Sequence, residues 1–99
     1  MKKRLQVSVR KESGHYQRII YLVFQNIGDE LLPQADYFLK VTEGSKTVNY
    51  DDCHVFGPLN PGELEEHKIR GTLNQGFVTQ KISVKTMGEV YELSVNMFT

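Results

Sequence analysis

The sequence predicts an all-β domain, with an antiparallel β-sandwich as its architecture. Short segments rich in β-branched and aromatic residues alternate apolar with polar positions, and turn signals separate them every 8 to 14 residues. No stretch carries an apolar helical face long enough to pack. The chain has 99 residues, the size of one domain, and such a chain buries roughly 60–68% of its unfolded surface, so residues 1–99 are expected to form a single domain around one core.

The first strand is read over Leu5–Arg10, where Leu5, Val7 and Val9 share one face and Gln6, Ser8 and Arg10 the other. Glu12-Ser13-Gly14-His15 turns the chain. Tyr16 to Gln25 is apolar on both faces, as a central strand requires, and the six-residue run Ile19–Phe24 is too short for a packed helix. Asn26-Ile27-Gly28-Asp29 ends it with turn chemistry, Gly28 being expected to supply a positive φ. Ala35, Tyr37, Leu39 and Val41 then alternate with Asp36, Phe38 and Lys40 in a third strand. After the turn Glu43-Gly44-Ser45, a fourth strand is expected over Lys46–Tyr50 and a fifth over Cys53–Phe56.

Gly57-Pro58-Leu59-Asn60-Pro61-Gly62-Glu63 holds two of the three prolines and two of the eight glycines, and therefore reads as a surface loop, with Leu59 as a core plug. Glu63 to Arg70 has i,i+4 pairs at Glu65/Ile69 and Glu66/Arg70, the only helical character in the chain. Two apolar residues in eight positions give a helix little to bury, so extended structure from Glu65 to Leu73 is the expectation. Val78, Ile82 and Val84, a turn at Thr86-Met87-Gly88-Glu89, and Tyr91, Leu93, Val95 and Met97 make a terminal hairpin. The count of seven to eight strands is that of an immunoglobulin-like sandwich, without the tryptophan and paired cysteines of antibody domains.

The order of three of these elements resembles small bacterial immunoglobulin-like modules of the FxLYD and cell-adhesion-related (CARDB) types. Tyr21-Leu22-Val23-Phe24-Gln25-Asn26-Ile27-Gly28 supplies an apolar strand with Asn-x-Gly, Ala35–Val41 the alternating strand, and Leu59-Asn60-Pro61-Gly62-Glu63 the Leu-x-Pro-Gly-Glu corner. The resemblance covers residues 19–63. It implies an adhesion, spacer or protein-binding role and carries no catalytic residue.

Composition narrows the function classes. Cys53 is the only cysteine, so no internal disulfide forms and no oxidising compartment is implied. The longest apolar run has six residues, against about 20 for a membrane-spanning helix. The basic start Met1-Lys2-Lys3-Arg4 is followed by an alternating strand, not a leader's apolar core, and a cytoplasmic location is expected if Met1 is the native start.

Net charge is zero but unevenly placed. Residues 1–18 carry six bases against Glu12 (+5), residues 29–66 two bases against nine acids (−7), and residues 67–99 four bases against two acids (+2). Solvated strand faces that attract one another explain this layout, and a basic partner-binding arm is the sharper alternative.

Candidate chemistry is sparse. Cys53, His54 and His67 have the atom types for zinc but lack paired ligand spacing, and a strand sends Cys53 and His54 to opposite faces. A buried Cys53 and a surface His54 are expected. Acids beside Cys53 disfavour a thiolate, so no nucleophile is assigned. Asp29-Glu30 and Asp51-Asp52 sit near turns without a calcium-loop pattern, and Glu63, Glu65 and Glu66 read as a solvated edge. The basic first strand with Tyr16 is the one nucleic-acid candidate, and it lacks a dense Lys/Arg stripe.

The sequence thus leads to no catalytic, cofactor or metal residue. It predicts a non-enzymatic module that binds a protein partner or associates with itself, without nucleic acid or a membrane segment. Contact is expected through an edge strand at Leu5–Arg10 or Ala35–Val41, or through the loop Gly57–Glu63. The alternative is a self-assembling structural protein of a larger particle, phage-like or envelope, drawn together by its opposite-signed segments. A small-ligand or metal binder is the remote third class.

Overall fold

The computed structural model describes residues 4–13, 18–43, 46–69 and 79–96. Among the described residues there are seven strands: β1 (Leu5–Ser13), β2 (Arg18–Asn26), β3 (Ala35–Glu43), β4 (Lys46–Phe56), β5 (Leu64–Ile69), β6 (Thr79–Thr86) and β7 (Glu89–Asn96). They form two antiparallel sheets, one of three strands in the order β1-β2-β5 and one of four in the order β4-β3-β6-β7. The described residues contain no helix, and none long and apolar enough to cross a membrane.

The chain forms two compact units, one from the described residues of Met1–Ala35 and Phe56–Thr72, the other from those of Asp36–Val55 and Leu73–Thr99. In the first, the period-2 pattern buries Leu5 and Val7 of β1, Ile20, Leu22 and Phe24 of β2, and Ile69 of β5 on one side. Phe56 stacks on Phe24 with ring centroids 4.2 Å apart, and the His67 ring meets Phe24 edge-on at 5.5 Å. In the second, Tyr37, Leu39 and Val41 of β3 pair with Thr86, Val84 and Ile82 of β6, and all six are buried. Val95 of β7 joins them, and Thr86 donates its hydroxyl to the Asp36 carbonyl at 2.6 Å. Burial, followed by the hydrogen bond that the Tyr91 hydroxyl donates to Glu89 Oε2, pushes the Tyr91 phenol above its ordinary range.

One end of the first unit is built around Asn26, which is completely buried at the end of β2. Its Nδ2 donates to the carbonyls of Glu30 and Leu59, both at 2.8 Å, and its Oδ1 accepts the Gly28 N–H at 2.9 Å. Its own N–H donates to the Glu63 carbonyl at 3.0 Å, and its carbonyl accepts the Gly62 N–H at 2.8 Å. Leu32 and Leu59 exchange two backbone hydrogen bonds of 2.9 Å. Among the described residues every buried side-chain polar atom has a partner. Leu59, 2% exposed, is the core plug that the sequence suggested.

Glycine conformations follow the turns. Asn60–Glu63 closes a turn with the Glu63 N–H on the Asn60 carbonyl at 2.9 Å, Pro61 first and Gly62 second at φ 82°, as a type II turn demands. Met87 (φ 51°) and Gly88 (φ 75°) make the two-residue connection between Thr86 and Glu89. The Gly57–Pro58 peptide is cis.

The structure corrects several expectations. Gly28 has no positive φ; a Cβ there would stand 3.2 Å from Arg4 Cγ and 3.4 Å from Asn26 Oδ1. Lys46–Tyr50 and Cys53–Phe56 are one continuous strand, β4, at an edge of its sheet. Ala35–Val41 belongs to β3, which is interior, whereas Leu5–Arg10 does lie on an edge. By contrast Leu64–Ile69 is a strand, in keeping with the extended structure expected from Glu65 onward. Residues 14–17, 44–45 and 70–78, with Met1, Lys2, Lys3 and Met97, lie outside the described residues, and with them the turns at Gly14 and Gly44, Tyr16, Val78, and the expected strand beyond Ile69.

Candidate functional site

Cys53, His54 and His67 do not form the site they were considered for. His54 is half-buried with its ring stacked on buried Tyr37, centroids 5.2 Å apart, so alternation turns Cys53 outward. This reverses the expected burial of the pair. His67 donates to Glu65 Oε2 at 2.5 Å along β5. No three His, Cys, Asp or Glu side chains gather at metal-binding distance among the described residues.

The acids Glu63, Glu65 and Glu66 are also dispersed. Glu63 sits in the turn, where its Oε1 accepts the Asn60 N–H at 3.2 Å, Glu65 turns toward His67, and Glu66 faces the opposite side of β5. There Arg10 of β1 crosses the Tyr21 ring of β2, its guanidinium 4.3 Å from the centroid, and donates to both Glu66 oxygens at 3.2 and 2.7 Å. Arg10 also stands 3.6 Å from Glu12, and Arg4 3.6 Å from Glu30. Of the six bases of the expected basic arm, Arg4 and Arg10 are paired within their own unit, and Lys2 and Lys3 lie outside the described residues.

The solvent face of the four-stranded sheet is different. Backbone register sets nine residues in three rows across β3, β6 and β7: Phe38–Lys85–Val90, Lys40–Ser83–Glu92 and Thr42–Lys81–Ser94. Phe38 is 50% exposed and Val90 58%, and Val55 of β4, on the same face as Cys53, is 41% exposed. A concavity of about 500 Å³ lies over the two polar rows, lined by Lys40, Thr42, Lys81, Ser83, Glu92 and Ser94. The grid carries three lysines against Glu92, or +2, and Asp36 stands one row beyond it. Among the described residues no ion pair joins any of these lysines to a carboxylate.

The chain matches no family model, no curated protein and no solved structure. Function is therefore argued from these surfaces alone. Sequence reasoning passed over the grid because its members come from three separated strands. The local signal was an apolar residue, Phe38 or Val90, on the polar phase of an alternating strand.

Proposed function

We propose that the chain is a non-enzymatic protein-binding module of immunoglobulin-like sandwich type that contacts its partner through the solvent face of β3, β6 and β7. One observation carries this: half-exposed Phe38 and Val90 lie next to three lysines that have no carboxylate partner among the described residues. Exposed apolar side chains rimmed by charge mark contact surfaces, and cations left unpaired in the free protein are available to a partner's acids. On the corresponding face of the three-stranded sheet, Arg10 and Glu66 pair with each other. The sandwich reading is supported by two sheets that each bury one face.

The test is site-specific photo-crosslinking in the native host, with a benzophenone amino acid at position 38 and, as control, at position 23 on the other sheet. A discrete adduct from position 38, identified by mass spectrometry and lost in K40E/K81E/K85E, is expected. Absence of such an adduct, or equal adducts from both positions, would overturn the proposal.

A further inference from the structure

The partner's chemistry can be narrowed, resting on the reading just given. A surface that fits the β3-β6-β7 face must offer apolar side chains and at least two net acids in a preformed arrangement. The loop end of the first unit has these properties. Ile27 (49%), Leu31 (54%) and Leu64 (50%) are exposed there. Over residues 4, 26–34 and 57–64 the charges are Asp29, Glu30 and Glu63 against Arg4, or −2, opposite in sign and equal in size to the +2 of the grid. Among the described residues Asp29 makes no ion pair.

Rigidity favours this end as a ligand. Loops usually lose conformational freedom on binding, which weakens association. Here Asn26 holds both loops through five hydrogen bonds, and the Leu32–Leu59 bridge adds two more. The exposed apolar and acidic side chains therefore sit on backbone that is already ordered.

We infer that the occupant is a second copy of this chain: the acidic, apolar loop end of one copy docks on the basic, apolar sheet face of another. The contact is heterologous, joining different patches on the two copies, so each copy can both give and receive it. Opposite charges on the two patches also make the association sensitive to salt.

Charge reversal with remixing tests this. K40E/K81E/K85E turns the face acidic, and D29K/E63K turns the loop end basic; far-UV circular dichroism checks that both fold. In sedimentation velocity, the wild type is expected to associate with concentration and less so at high salt. Each variant alone should associate at least about tenfold more weakly, because like charges then meet. An equimolar mixture of the two should recover association, since acidic face then meets basic end and basic face meets acidic end. A mixture that stays monomeric, or single variants that associate like wild type, would sink the inference. A wild type that is monomeric at every concentration, while position 38 captures a different protein, removes the second copy and leaves the binding role standing. If position 38 captures nothing as well, both fall.

Discussion

Asn26 illustrates how one buried polar side chain can organise a whole end of a domain. All of its hydrogen-bonding groups are used, so its burial costs little, and it fixes the positions of Glu30, Leu59, Gly62 and Glu63 together. Asn26→Ala would leave the Gly28 N–H and the Glu30 carbonyl without their partner, while the Leu59 carbonyl keeps the Leu32 N–H. The expected loss is about 3 kcal/mol of unfolding free energy by urea titration, from two orphaned groups and a small void; a loss below about 0.5 kcal/mol would show that water replaces the amide without penalty. The turn after Phe24 was legible in the sequence because Asn and Gly are turn residues. The reason for it was not, since what Asn26 grips lies 33 positions away at Leu59. Gly28 was misjudged on the same ground: its φ is not positive, and the atom nearest a Cβ there belongs to Arg4.

Strand existence follows from local alternation, and the apolar phases of β1, β2, β3, β6 and β7 are the ones the structure buries. Edge or interior position depends on which strands become neighbours, and the sequence misplaced β3 for that reason. The Arg10–Tyr21–Glu66 contact belongs to this level, because it spans the three strands of one sheet. The hydrogen bonds from Arg10, ahead of the charge attraction, hold the Glu66 carboxyl below its ordinary value of 4.5. A carboxyl lowered in the folded state stabilises the fold above its unfolded pKa, and that contribution disappears as pH falls through the folded value. Glu66→Gln should therefore lower the urea midpoint near neutral pH, with the gap to wild type closing as pH drops below 4.5. The pair is exposed, so the gap is small and shrinks with salt. An equal gap at roughly pH 3 and pH 7 would mean that the stabilisation does not come from the carboxylate.

At the level of the whole chain, the charge blocks of the sequence are not the surfaces of the fold. Lys40 comes from the acidic stretch 29–66 yet joins Lys81 and Lys85 on the basic face, and Arg10 of the basic start is neutralised by Glu66. The chain passes between its two units three times, so neither unit is one continuous segment. The ladders follow suit: Ile20 pairs with Ile69, and Tyr37 with Thr86, each 49 positions apart. Pairings this distant require loop closure before they return any stabilisation, so folding is expected in milliseconds to seconds by stopped-flow fluorescence of the tyrosines. The same logic fixes what truncation does. A chain ending at Glu63 keeps β1 through β4 but loses β5, β6 and β7, which removes the second ladder of both β2 and β3. Each remaining sheet is then a two-stranded pair, marginal in water by itself. Fragment 1–63 should show an unfolded far-UV spectrum and no cooperative urea transition. A cooperative transition in that fragment would place the stability in the first four strands and contradict a fold held together by its long-range ladders.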